Sequence, residues 1–456
     1  MKEPQATRLV KYPLYTVGDL SSGIYAVTPS ILLMFYMTNV LGISVALATI
    51  AAALPKVVDL ISSPLVGGMS DNTSSRFGRR RPYLLFAGVT IFPAFCAIWF
   101  APFKDPLYSA LFIIAVFSIC AFCYSTFLVP YCALNCEIAT DYHDGTILNS
   151  WRAAYSMSGC LLAGAGAPLI VEHFDGGRTG YLTMGATMGG IMAAGIMVTF
   201  FASKEPPRKV DVPNISLREI LSAIFQNRPF SVLLAAYFVH VVGSGVISAA
   251  LAYYVTYVLR RGTDSLSLLF LLMFAASVVA IPIFVWLGKR FGKFVTFALS
   301  IALAGIAVTG YGLLDASAPF ALALLVATVA GASEGGVQVF AYSMLVDSIK
   351  FGDKRRQITP PEAALSGVFL AGEKLGYAVG AVVAGLIFTL YGLVETNTGF
   401  VDQPASALAG IKLATSIAPA LLNAVSFAIF CLYRQFDRSL DLSQKASTVA
   451  EQEVAL

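Results

Sequence analysis

The sequence predicts an all-α membrane protein of twelve transmembrane helices, arranged as two groups of six. Three observations predict it. Only 12% of the residues are charged and 57% are hydrophobic, where a soluble domain carries about 25% charged residues. Apolar runs of about 20 residues, each long enough to cross a bilayer, recur along the whole chain. The longest polar stretch inside the chain, "SKEPPRKVDVPNISLREILSAIFQNRP", falls midway and leaves six runs on each side.

In chain order the spans are expected at 12–40, 43–69, 83–101, 107–136, 150–172, 180–202, 229–259, 266–288, 294–314, 319–348, 363–391 and 407–434. The expected domains are a bundle at 1–203, a connector at 204–228, a second bundle at 229–436 and a tail at 437–456. The polar, basic opening "MKEPQATRLVKYPLY" runs into a first span too long for a signal-peptide core, so no cleavable signal is expected. That span carries Asp19 near its start. The second holds Lys56, Asp59 and Ser63 at i, i+3 and i+7, a single helical face. The fifth opens on Trp151 and Arg152. His240 and Glu334 fall in the seventh and tenth, and Glu373 and Lys374 in mid-span of the eleventh, where Gly372, Gly376 and Gly380, at four-residue spacing, form a strip suited to close helix approach.

Lys104, Arg178, Arg260, Arg261 and Lys412 are the basic residues of the odd-numbered connectors; nearly all the others lie in the even-numbered connectors and the terminal segments. The positive-inside rule then places both termini in the cytoplasm, with the arginines of "SRFGRRRPYLL" anchoring the second connector there. The adjacent Arg260 and Arg261 are a local exception. The halves echo one another: "SRFGRRRPYLL" after span two matches "KRFGKFVTFAL" after span eight, and Asp141 after span four matches Asp347 after span ten. Paired repeats of this kind usually enclose a midplane site that rocks between the two sides.

Seven cysteines fall in or beside apolar segments with neither metal-ligand spacing nor a disulfide framework, and read as reduced residues filling space. No metal is expected. With three histidines, no nucleophile elbow and no phosphate loop, an enzyme is not indicated. A lone charge at mid-span costs about 2.5–3.5 kcal/mol even on the mild insertion scale, so Lys56, Asp59, Glu373 and Lys374 are expected to face the protein interior. Structural readings are also open: Lys56–Asp59 as a buried ion pair that glues helices together, Asp19 as a brace, His240 as a hydrogen-bonded core residue.

The segments "DLISSPLVGGMSDNTSSRFGRRRPY", "NCEIATDYHDGTILNSWR" and "KEP…QNRPF" together resemble the glycoside–pentoside–hexuronide:cation symporters, the branch of the major facilitator superfamily that includes the melibiose carrier. The resemblance covers essentially the whole chain. It implies a major facilitator fold with pseudo-twofold symmetry, transport of sugars and coupling to Na+ or H+, with no other cofactor. It places the family's cation site at Asp59, Ser62, Ser63, Ser125 and Lys374, with Ser63 standing where the family has a second carboxylate. The sugar-binding carboxylates of the family fall near Gly23 and on Leu128, and its tryptophan on Cys132; a connector arginine becomes Gly145. These departures argue against a melibiose-type galactoside. Expected substrate contacts are Tyr25, Tyr124, Leu128, Tyr131, Cys132, Trp151, Arg152, Gln338 and Lys374, with Tyr377 a further aromatic candidate. Arg152 and Lys374 predict a net positive cavity and so an acidic sugar. Loss of one carboxylate favours H+ over Na+. Asp71, Arg79, Asp141 and Asp347 are expected to brace the cytoplasmic ends during alternating access. The expected partners are a small-molecule substrate, a coupling cation and lipid, with no nucleic acid, and the protein a monomer of the bacterial inner membrane. The alternative is a carrier of lysolipids or other amphipathic solutes on the same fold.

Overall fold

The computed structural model describes residues 12–138, 142–174, 176–203, 225–353, 362–396 and 400–436. The described residues form helices and no strands. Twelve helical segments are long and apolar enough to cross a membrane: α1 Tyr12–Asn39, α2 Val45–Ser70, α3 Arg81–Trp99, α4 Pro106–Asn135, α5 Trp151–His173, α6 Arg178–Ala202, α7 Arg228–Val258, α8 Asp264–Phe291, α9 Lys293–Gly312, α10 Phe320–Ile349, α11 Leu365–Leu390 and α12 Ala405–Phe436. They match the twelve expected spans, because a run of apolar residues about 30 Å long can satisfy its backbone in lipid only by forming a helix.

Local sequence sets the ends. Pro82 sits in the first turn of α3, where its missing N–H costs nothing. The Asn227 side chain caps α7 by accepting from the Phe230 N–H at 3.2 Å, and its amide donates to the Ser348 carbonyl at 2.9 Å, tying α7 to α10. Gly292, at φ 87°, makes the sharp turn from α8 to α9. Three spans contain a π-helical turn, at Leu162–Gly166 in α5, Tyr254–Val258 in α7 and Leu413–Ile417 in α12.

The helices pack as two bundles. In the first, α2 lies on α4, α3 on α6 and α1 on α5; in the second, α8 lies on α10, α7 on α11 and α9 on α12. The bundles meet along α2–α11, α5–α8 and α1–α7. At the end carrying the odd-numbered connectors, the hydrogen bonds that join them include Thr38 Oγ1 with the Tyr253 hydroxyl at 2.6 Å, the Thr396 N–H to the Thr38 carbonyl at 2.9 Å, and the Val45 N–H to Glu395 Oε1 at 3.0 Å. A side chain at Gly385 of α11 would collide with Thr49 of α2, so that crossing is close as well.

The strip of Gly372, Gly376 and Gly380 packs α11 against Leu234, Val241 and Val242 of α7, inside one bundle. The exceptional arginine pair between α7 and α8 also finds work there. Arg260 pairs with Asp402 at 3.6 Å and Arg261 stacks over Phe320 at 4.5 Å. Of the arginine cluster after α2, Arg81 donates to the Phe200 carbonyl at 3.2 Å and stacks on that ring, fastening α3 to α6. The six cysteines whose side chains are described are free thiols.

Candidate functional site: a charged cavity between the bundles

A cavity of about 390 Å³ lies between the two bundles, lined from α1, α2, α4 and α5 of the first and from α7 to α12 of the second. Its volume is that of a small-molecule site.

Asp59 is among the lining residues. Its carboxylate is buried, and both oxygens are taken: Oδ1 accepts from the Ser125 hydroxyl at 2.6 Å, and Oδ2 accepts from Lys374 Nζ at 2.6 Å. Ser62 Oγ lies 2.8 Å from Ser125 Oγ, and Ser62 and Ser63 donate to the Asp59 carbonyl at 3.1 and 2.8 Å. The Asp59–Lys374 ion pair is a charged contact between bundles, since α2 and α11 belong to different ones. Lys56 therefore does not pair with Asp59. Its ammonium reaches Ser30 of α1 at 3.4 Å and lies 5.6 Å from the Tyr377 ring centroid. Two cations on one face cannot share one carboxylate cheaply, and the ammonium arriving from α11 takes it.

Tyr25 and Tyr124 stack at 4.0 Å between centroids and 19° between planes, and both line the cavity. Leu128 and Gln338 also line it. Four of the other expected substrate residues, Tyr131, Cys132, Trp151 and Arg152, do not. Arg152 donates to Asp19 at 2.9 Å and lies over the Tyr131 ring, and Tyr131 donates to the same Asp19 oxygen at 2.6 Å. Cys132 accepts from Arg152 at 3.5 Å. Asp19 thus clamps α1, α4 and α5 together below the cavity wall, the bracing role. Trp151 stands 40% exposed, against Tyr155, and also lies outside the cavity.

This placement corrects the expectation of a net positive cavity. The charged residues of its lining are Asp59, Glu334 and Glu373 against Lys56 and Lys374. Even an imidazolium at His240 brings the formal charge of the lining only to zero, because Arg152 is spent on Asp19. Gly23 lines the cavity where α1 crosses α5, and a Cβ there would run into the Ser156 carbonyl and the Cys160 N–H. The family's carboxylate has no room at this position.

Sequence reasoning missed two networks in the second bundle. Glu373 accepts from the Tyr342 hydroxyl at 2.6 Å. His240 touches Asn423 at 2.7 Å through Nδ1 and Glu334 at 3.1 Å through Nε2. A single amide in the apolar "APALLNAVSF" was the available signal for the latter. Among the residues expected to brace the even-connector end, Asp347 is held by Lys293 of its own bundle at 2.6 Å. Arg79 is half-buried in the connector after α2. Asp141 and the Asp71 side chain lie outside the described residues.

Comparison with known proteins agrees with this architecture. The chain is similar to an uncharacterised symporter of Bacillus subtilis (26% identical, covering 90% of this chain and 88% of the relative) and to an isoprimeverose transporter of Lactiplantibacillus pentosus (25%, covering 88% and 83%). It is similar also to a sphingosine-1-phosphate transporter of Xenopus tropicalis (22%, covering 92% and 86%). The crystal structure of a point mutant of the nucleoside transporter NupG superposes with a TM-score of 0.68 at 15% identity, over 92% of this chain and all of that one, which shows the fold. The model of the MFS/sugar transport protein family matches residues 14–435. A multi-pass chain whose two six-helix bundles enclose one charged cavity, matched over nearly its whole length by that model, is a transporter and not an enzyme: it belongs to the MFS/sugar transport protein family.

Proposed function

We propose that this protein is a symporter that couples uptake of a neutral glycoside to H+ by alternating access. The observation that carries the reading is the double occupation of Asp59, with Ser125 on one oxygen and the Lys374 ammonium on the other. A cation already stands where a coupling ion would bind. A proton arriving at Asp59 neutralises the carboxylate, removes its attraction for Lys374 and frees the ammonium toward the cavity. It needs no coordination sphere. A sodium ion would first have to displace the ammonium and then collect hard oxygen ligands from Ser62, Ser63 and Ser125, whose hydroxyl protons are already turned to Asp59. Because α2 carries Asp59 and α11 carries Lys374, the proton acts on a contact that ties the bundles together.

The charge balance of the lining favours a neutral cargo, since like potentials offer an added anion no gain. The stacked Tyr25 and Tyr124 present an aromatic face of the kind that meets the apolar side of a sugar ring. If the basic even-numbered connectors lie in the cytoplasm, the hydrogen bonds at Thr38, Val45 and Thr396 close the outer end, and the structure is the inward-facing member of the cycle. The second reading, an amphipathic lipid, draws on the apolar wall of Phe117, Leu128, Phe270 and Phe274 and on the similarity to the sphingosine-1-phosphate transporter.

Uptake into proteoliposomes under separate pH and Na+ gradients tests the proposal. The substrates are radiolabelled isoprimeverose, methyl β-glucuronide and lysophosphatidylcholine. The expected result is pH-driven uptake of isoprimeverose over the other two. Glucuronide preferred over the neutral sugar overturns the neutral-cargo reading, and lysophosphatidylcholine as sole substrate establishes the second one.

A further inference from the structure

The cavity holds a second titratable cluster, remote in sequence from Asp59 and made wholly by the second bundle. It runs Pro419–Asn423–His240–Glu334. Asn423 Nδ2 donates to the Pro419 carbonyl at 2.9 Å, which fixes the amide so that Oδ1 faces His240 Nδ1 at 2.7 Å. Nδ1 must then carry a hydrogen. The other ring nitrogen, Nε2, lies 3.1 Å from Glu334 Oε2. A neutral imidazole with its hydrogen on Nδ1 would set two acceptors against each other there. So the contact holds one proton, as imidazolium and carboxylate or as imidazole and carboxylic acid, and the pair is neutral as a unit in both forms.

His240 and Asn423 are buried, at 1% and 4% exposure, while the Glu334 side chain is 36% exposed and lines the cavity. Glu334 Oε1 meets no donor among the described residues. Gln338, one turn further along α10, lines the same wall. The remaining acids around the first bundle are committed: Asp19 to Arg152 and Tyr131, and Asp59 to Ser125 and Lys374. Gly23 and Leu128 offer no side-chain acceptor.

We propose that Glu334 is the hydroxyl-accepting residue of the substrate site, binding a sugar hydroxyl at Oε1 while His240 and Asn423 position it. The acceptor that the first bundle lacks is supplied from α10, in the cavity that Tyr25 and Tyr124 also line. This rests on the glycoside reading above. Asn423 acts as a positioning residue, through the tautomer of His240. A site built to bond a hydroxyl discriminates strongly against the analogue lacking it, so one sugar position should dominate recognition.

The test uses the full chain in proteoliposomes, with whichever of isoprimeverose and methyl β-glucuronide the wild type takes up, and with the monodeoxy derivatives of that sugar. Glu334→Gln should raise KM at least tenfold with kcat within threefold of wild type. One monodeoxy derivative should lose affinity by a similar factor in the wild type and lose little more in Glu334→Gln. Asn423→Ala should shift KM in the same direction by a smaller factor. A merely structural role lowers kcat and thermal stability without singling out one hydroxyl. Equal, additive losses for Glu334→Gln with every deoxy derivative, or an unchanged KM, overturn this assignment while leaving the symport reading intact. A wild type that takes up neither sugar overturns both.

Discussion

Two donors hold Asp59, and they differ in what they contribute. The Ser125 hydroxyl orients Oδ1, and the Lys374 ammonium stabilises the charge at Oδ2. Hydrogen bonds to charged groups contribute about 1.5–3 kcal/mol each, and a charge left behind without its partner costs more than the pair was worth. Lys374→Gln should therefore lower thermal stability by about 2 kcal/mol. Asp59→Asn combined with Lys374→Gln should cost less than the sum of the single changes, a coupling of about 1–3 kcal/mol read from thermal unfolding in detergent. Lys56 is not a spare partner for Asp59, because its ammonium is held by Ser30 and the Tyr377 ring. Lys56→Met should leave that coupling unchanged. Which lysine meets Asp59 was not legible from spacing on α2: Lys56 is three residues away, but the side chain that arrives is 315 positions on, across the bundle interface.

At the scale of the helix, spans and their order were legible because apolar length alone dictates a helix in lipid. What each face touches was not. The glycine strip of α11 announced a close contact without naming the partner, which proved to be α7 of the same bundle. Asp19 on α1 takes Arg152 of α5 and Tyr131 of α4, so two residues expected beside the substrate are instead parts of a brace. The α1–α5 crossing at Gly23 and Gly159 is closed to any larger side chain. Gly23→Ala should destabilise by about 1–3 kcal/mol, the usual cost of overfilling a close contact, measured as a lowered unfolding temperature; an unchanged temperature would mean that α1 and α5 separate easily. The contact between Thr38 of α1 and Tyr253 of α7 joins the bundles at the odd-connector end. Tyr253→Phe removes one hydrogen bond, about 0.5–1.5 kcal/mol. It should shift the balance of access states by roughly two- to twelvefold toward the form open at that end, read as increased labelling of a single cysteine at Ser248 by an impermeant thiol reagent.

For the whole molecule, the two-bundle architecture followed from the sequence through the central connector and the echoes in matching loops. The charge of the cavity did not follow, because it depends on which ionisable residues point inward. With Arg152 withdrawn and Glu334 present, the lining balances at best, and the expected preference for an acidic sugar loses its basis. The account places one proton, one ion pair and one cargo in a single cavity whose walls belong to different bundles. One charge moving through 100 mV supplies about 2.3 kcal/mol, enough for roughly 50-fold accumulation. Sugar uptake into proteoliposomes under an imposed pH gradient, comparing wild type with Asp59→Asn, is the most direct test of whether Asp59 exchanges Lys374 for a proton. The wild type should accumulate isoprimeverose when the outside is acidic and gain nothing from a Na+ gradient, while Asp59→Asn should equilibrate the sugar without accumulating it. Accumulation that persists in Asp59→Asn, or that follows Na+ and ignores pH, would contradict the account.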